Sequence, residues 1–321
     1  MKSGTARVPT PTSPPPPLAL VPGWRVKFLL LALVWGASFL LIKIGTEALA
    51  PLQITLGRMV FGAIPLAIVL VLSRGRLPGS PRIWIHLSVA AFLLNVVPFT
   101  LFGYAARLIP SALAGICNSA TPLFALMFSL VLLSDEKPTR GRLIGLATGF
   151  GGVLVVFAVW TGFAGAGTAG MLLAVGAALC YGLGTPYLRR FLAGSRYSPL
   201  ELSAGQLIAG SAQLAVITPL VTDAPAELPP RVVLAVVALG ALGTGLAYVL
   251  QYAIVREAGA TVASTVTYVV PVVAIALGVL VAGEALTWNQ PVGAAIIIVG
   301  AALCHGSLRS PRRSASAPDR N

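Results

Sequence analysis

The chain has 321 residues, 57% of them hydrophobic and only 10% charged, with a mean hydropathy of +0.90. A soluble domain carries roughly 25% charged residues, so a water-facing globule is excluded and lipid is the expected solvent. The formal net charge of +13 raises a nucleic-acid reading, but aromatic and basic residues are not interleaved as on a nucleic-acid surface, and no such partner is expected.

Residues 1–27 contain PTPTSPPPP, which cannot form a helix, and are read as a disordered cytoplasmic tail. A long proline-rich segment stands where a cleavable signal has a short basic region. The first apolar run is therefore expected to serve as an uncleaved signal-anchor. A spanning helix needs roughly 20 mainly apolar residues. Ten spans fit: Phe28–Thr46, Leu52–Leu72, Ile83–Ala106, Ser111–Leu133, Leu143–Trp160, Gly170–Leu188, Pro199–Val221, Val232–Val255, Val262–Ala282 and Pro291–Gly306. Residues 307–321 form a basic C-terminal tail. With a cytoplasmic N-terminus, eighteen of the 22 Lys and Arg fall in cytoplasmic segments, two (Arg107 and Arg231) outside, and two (Lys43 and Arg58) within spans. That asymmetry places both termini in the cytoplasm of a multi-pass protein of the cytoplasmic membrane. It also accounts for the basic composition.

The chain repeats itself. PLQITLGR from Pro51 matches PLELSAGQ from Pro199 at an offset of 148, Pro122 matches Pro271 at 149, and Gly145 and Gly152 match Gly293 and Gly300 at 148. Each half, 28–160 and 170–306, contains five spans. An odd number inverts the second copy, giving an all-α integral membrane protein of ten transmembrane helices in two inverted five-helix repeats, a design common in secondary transporters.

At this point the sequence resembles the EamA-type transporters of the drug/metabolite transporter superfamily. The likeness rests on WGASF from Trp35, followed by Lys43 and then Arg58. Further on come Pro122 with Asp135 and Glu136 after it, and Pro271 with Glu284, Gly293 and Gly300 after it. The resemblance implies export of a small metabolite, often an amino acid or a related compound, through a central cavity between the halves. It implies that spans one, three, four, six, eight and nine line that cavity. The second copy departs in having CYGLGTP from Cys180 where the first has WGASF, and Gln206 where the first has Arg58.

Polar groups near mid-span are costly and so mark candidate function. At 1.5 Å per residue, Asn95 lies about 17 Å into span three, and Asn118 and Thr121 sit one turn before the centre of span four. Thr244 and Thr267 are the repeat-mates of Asn95 and Asn118, and Tyr181 pairs with Trp35. Pro122 and Pro271 kink their helices and free the carbonyls of Asn118 and Thr267. The cavity candidates are therefore Trp35, Asn95, Asn118, Thr121, Tyr181, Thr244, Tyr248, Thr267 and Tyr268, with ordinary helix packing as the alternative. Tyr248, Tyr252 and Tyr268 are read either as stacking surface for an organic substrate or as packing and interfacial anchors.

Arg58 either holds a substrate carboxylate or serves structure by binding carbonyls; because span two is not among the implied lining spans, the structural reading is preferred. Lys43 is expected to pair with Glu47 one helical turn on. No carboxylate lies at mid-span, so no obligatory proton coupling through a buried acid is expected, and Asp135, Glu136 and Glu284 are read as helix enders. Cys117, Cys180 and Cys304 lie in apolar runs without CxxC spacing, and His86 and His305 lie near span ends. No metal, cofactor or disulfide is expected. Gly141, Gly145 and Gly149 have GxxxG spacing, for close helix approach within the fold in preference to a homodimer contact. An intramembrane enzyme would need clustered acids or a nucleophile and base in the spans, which are absent. A structural or sensory membrane protein remains the second reading.

Overall fold

The computed structural model describes residues 23–133, 139–161 and 165–306, and these form helices joined by short connections. The proline-rich tail, the basic C-terminal tail, and Asp135, Glu136 and Lys137 lie outside the described residues, as does the side chain of His305. In chain order the helices are α1 (Trp24–Gly45), α2 (Pro51–Leu72), α3 (Pro81–Ala91), α4 (Val97–Ala106), α5 (Ser111–Asn118), α6 (Thr121–Leu132) and α7 (Arg140–Val156). There follow α8 (Gly165–Phe191), α9 (Pro199–Val221), α10 (Pro230–Gly240), α11 (Ala247–Ala258), α12 (Ala260–Ser264), α13 (Val266–Leu280) and α14 (Asn289–Gly306).

Helix is the only open-chain conformation that satisfies its own backbone in hydrocarbon, and local chemistry sets where each begins. Pro51, Pro81, Pro199 and Pro230 open α2, α3, α9 and α10, where a missing N–H costs nothing. Ser198 and Glu201 add a capping box to α9. Single π-helical turns, Phe92–Val96 and Ala241–Leu246, join α3 to α4 and α10 to α11. Thus α3–α4, α5–α6, α10–α11 and α12–α13 are long rods with an interruption inside. Among the described residues, eight rods are long and apolar enough to cross a membrane. Their outward faces carry bare hydrophobic side chains, with Val131 and Leu280 more than 80% exposed. Water would not tolerate such a surface, and lipid does.

Long-range hydrogen bonds gather the helix ends into two layers. In the first layer, where α1 begins, Lys27 pairs with Glu257, the Arg76 N–H donates to Glu201 Oε1 (3.1 Å), and Arg190 Nη1 donates to the Leu132 carbonyl (2.9 Å). In the second, where α1 ends, Lys43 Nζ donates to the Ile109 carbonyl (3.0 Å), Arg107 Nη2 to the Leu49 carbonyl (3.0 Å) and Gln53 Nε2 to the Asp223 carbonyl (2.7 Å). Arg231 pairs there with Glu47 at 2.5 Å. The expected Lys43–Glu47 pair is thus replaced by two longer-range contacts. At a helix end both side chains reach another chain segment more readily than each other.

Between the layers, α1 packs on α13, α6 on α8, α2 on α9, and α7 on α14. The last contact is a glycine seam. A Cβ on Gly145 would lie 2.7 Å from the Gly300 carbonyl oxygen, and one on Gly152 would lie 2.8 Å from that of Gly293. Gly149 of the GxxxG run packs beneath Leu123 and against Gly300. The approach expected of Gly145 and Gly149 is made inside the chain, helix backbone on helix backbone.

Candidate functional site

A cavity of about 520 Å³ lies between α1, α2, α4, α6, α8, α9, α11 and α13. Its walls come from both halves, and each helix contributes one face. On α1 the lining residues are Trp35, Ser38, Phe39 and Ile42; on α8, Tyr181, Thr185 and Leu188; on α9, Pro199, Ser203 and Gln206; on α11, Tyr248, Gln251, Tyr252 and Val255. These spacings of three, four and seven are one side of a helix. Starting from Trp35, Tyr181 and Tyr248, the sequence already carried Ser38, Thr185 and Gln251 by that rule, yet sequence reasoning missed them. Leu94, Phe99 and Phe102 complete the third rod's contribution, with Asn118 and Thr121 from the fourth and Thr267 and Val270 from α13.

The cavity is asymmetric along its length. Leu188, Pro199 and Val255 stand at or near first-layer helix ends, so the cavity runs out to that layer. Toward the second layer its lining stops at Ile42 and Phe102. There Phe39 and Phe102 meet edge to face with centroids 5.2 Å apart, and beyond them lie the Lys43, Arg107 and Arg231 contacts. A further closure comes from Glu284. Its Oε1 accepts the Ser111 N–H (2.7 Å), and its Oε2 accepts the Ser111 hydroxyl (3.0 Å) and the Ala112 N–H (2.9 Å). A carboxylate at a helix N-terminus meets unsatisfied donors and the positive end of the dipole. Glu284, expected to end its own helix, instead caps α5 from the other half.

Of the nine cavity candidates, Trp35, Asn118, Thr121, Tyr181, Tyr248 and Thr267 line it together. Asn95 and Thr244 sit fully buried, behind the lining residues. Each lies in a π-helical turn, and each grips a lining residue. Asn95 Nδ2 donates to Tyr248 Oη (2.9 Å) and Asn95 Oδ1 accepts from Gln206 Nε2 (2.6 Å). Thr244 Oγ1 accepts from Arg58 Nε at 2.9 Å. Tyr268 turns away and donates its hydroxyl to the Ala301 carbonyl (3.1 Å).

Arg58 and Gln206, on spans expected to stand outside the lining, are both in the wall. Among the described residues Arg58 is the one charged side chain lining the cavity, and its guanidinium covers the Phe99 ring at 3.6 Å from the centroid. Pro122 takes the second position of α6, so the fourth rod breaks before it, at Ser119–Ala120. A proline is easily accommodated in a first turn, where its N–H is not needed. Pro271 is interior to α13, the preceding break falls at Thr265, and the Thr267 hydroxyl donates back to the Ser264 carbonyl at 2.8 Å. The chemistry offered is therefore a mostly aromatic and neutral polar chamber with a single cation, suited to holding an amphipathic organic molecule.

The EamA-like transporter family model matches residues 24–158 and again 168–305. The uncharacterized transporter YoaV of Bacillus subtilis is 25% identical over 84% of this chain and 91% of its own length. A probable amino-acid metabolite efflux pump of Salmonella typhimurium is 24% identical over 85% and 91%. A probable terminal-alkyne amino-acid exporter of Streptantibioticus cattleyicolor is 26% identical over 91% and 96%. One solved crystal structure, 23% identical, superposes with a TM-score of 0.64 over 89% of this chain and 99% of that one, a likeness of fold. With two matches that together take in nearly all of the helical region, this chain belongs to the EamA-like transporter family, and it is a multi-pass membrane transporter and not an enzyme.

Proposed function

We propose that this transporter exports a small organic metabolite, an amino acid or a related compound, across the cytoplasmic membrane by alternating access. The carrying observation is the cavity, walled by both halves and lined from Pro199, the first residue of α9 in the first layer, to Ile42 and Phe102 toward the second. There Phe39 packs on Phe102 and Glu284 ties the end of α13 to α5. With the positive-inside orientation the first layer is cytoplasmic. The conformation is then inward-facing, ready to load from the cell, with both termini in the cytoplasm.

The fold is read as ten transmembrane helices in two inverted five-helix repeats, 28–160 and 170–306. Besides the sequence offsets, paired local structures support this. The π-helical turns at Asn95 and Thr244 stand 149 residues apart. Each meets the polar residue of the other half's second span, Arg58 to Thr244 and Gln206 to Asn95. Such exchange is what a two-fold axis in the membrane plane produces. The amino-acid class is supported by the names of two relatives and by the mixed aromatic and polar wall. The working unit is read as a single chain, since Gly145 and Gly149 already have their partners within it.

The test is accumulation of radiolabelled amino acids and related metabolites in everted membrane vesicles. Wild type is expected to accumulate at least one class. A variant carrying both Asn118→Val and Thr267→Val, present in the membrane at wild-type level, should do so about tenfold less effectively, the loss expected for about 1.4 kcal/mol of hydrogen bonding. Undiminished accumulation by that variant would remove the cavity as the transport site.

A further inference from the structure

We infer that Arg58 is the carboxylate-binding residue of the transport site, and that the substrate is a monocarboxylate with an apolar or aromatic body. This deepens the transport reading and rests on it.

Arg58 is 7% exposed, in the eighth position of α2. Guanidinium stays charged in proteins, and a charge removed from water is costly unless it is paired. Yet among the described residues Arg58 makes no ion pair. Acidic side chains at the helix ends are engaged there: Glu47 pairs with Arg231 and Glu257 with Lys27. Glu201 caps α9 and Glu284 caps α5. Among the described residues the one side-chain hydrogen bond Arg58 makes runs from Nε to Thr244 Oγ1 at 2.9 Å, while one face of the guanidinium is covered by Phe99. Those two contacts fix the plane and the rotation of the group. Nη1 and Nη2 make no hydrogen bond within the described residues and are not sealed from the cavity that Arg58 lines. What remains is a rigid fork of N–H donors on the cavity wall, the geometry that pairs with a carboxylate through parallel hydrogen bonds.

The repeat supplies an internal control on a purely structural role. Gln206 occupies the position equivalent to Arg58. It makes the equivalent contact, to Asn95, the residue equivalent to Thr244, at 2.6 Å. A neutral side chain therefore suffices to tie the second span of one half to the π-helical turn of the other. The charge at Arg58 is surplus to that task. Among the described residues no second cation lines the cavity, so a single carboxylate is matched by the one guanidinium, whereas a phosphate dianion would leave uncompensated charge in a low-dielectric space. Trp35, Phe39 and Tyr181 supply the aromatic surface for the rest of the molecule.

The experiment measures binding to the purified full chain in detergent by tryptophan fluorescence. The probes are two acid–amide pairs, hydrocinnamate with hydrocinnamamide and L-phenylalanine with L-phenylalaninamide. Wild type is expected to bind each acid at least about tenfold more tightly than its amide. Arg58→Gln should lose that preference, and Arg58→Lys, which keeps a charge but not the fork, should retain part of it. A monodisperse elution profile reports that each variant is folded. Wild type must discriminate on its own, so failure of Arg58→Gln to fold leaves a deciding measurement. Equal binding of acid and amide by wild type, no binding of either acid, or a preference that survives Arg58→Gln, would overturn the inference. Vesicle transport of neutral solutes without any acid preference would remove the carboxylate assignment and leave the transport reading intact. No accumulation of any solute would remove the transport reading itself.

Discussion

Glu284 stands thirteen residues after Pro271, at the close of the apolar run that contains it, but its carboxylate serves the start of α5. Two backbone N–H groups and one hydroxyl converge on it. Glu284→Ala should therefore cost about 1–2 kcal/mol of stability, seen as a lower melting temperature of the detergent-solubilised protein. Glu284→Gln, which keeps an acceptor but not the charge, should lose less. An unchanged melting temperature for the alanine variant would deny the cap any energetic role. Asn95 and Thr244 teach a related lesson. Depth along a helix is expected from counting residues. Direction does not follow so simply where the helix passes through a π-helical turn, because the extra residue rotates everything after it. Both side chains consequently point behind the wall, where they orient Tyr248, Gln206 and Arg58.

At the scale of elements, the α7–α14 seam shows packing where glycine is demanded by a neighbour's backbone. Without a hydrophobic driving force between helices in lipid, close van der Waals approach has to supply the association. Adjacent glycines of α7 make the comparison. A Cβ on Gly152 would meet the Gly293 carbonyl oxygen and the Ile297 nitrogen, each at 2.8 Å, whereas one on Gly151 would meet nothing within 4 Å. Backbone atoms cannot swing aside as a side chain can. Gly152→Ala is expected to destabilise the protein by about 1–3 kcal/mol, while Gly151→Ala should be neutral or, through helix propensity, stabilising by up to about 1 kcal/mol. Thermal denaturation of both variants in one detergent decides it. Equal melting temperatures would mean the seam is looser than these distances state. The interrupted rods carry the complementary lesson. The breaks at Ser119–Ala120 and Thr265 lie beside Asn118 and Thr267, so irregular backbone is placed where it borders the cavity.

For the whole molecule, the asymmetry of the cavity is the feature that bears on transport. In a background lacking Cys117, Cys180 and Cys304, Ser203→Cys should react with a membrane-impermeant maleimide faster from the cytoplasmic face than from the outside. Faster labelling of Ser203→Cys from the outside would reverse the proposed orientation. A helical membrane class was determined by the sequence alone, because the scarcity of charge and the length of apolar runs depend on composition and not on contacts. Six of the nine cavity candidates were legible for a similar reason, since aromatic and polar residues at mid-span have few affordable places to go. The remainder needed the tertiary structure. Whether Arg58 faces a partner, lipid or the cavity depends on the rotation of α2 against α9 and the π-helical turn at Thr244, contacts 186 residues apart in the chain. The cap that Glu284 lends to α5 spans 173 residues. No local pattern encodes which distant donor or acceptor a polar side chain will meet, because in a low-dielectric interior that choice is made by the packing of whole helices.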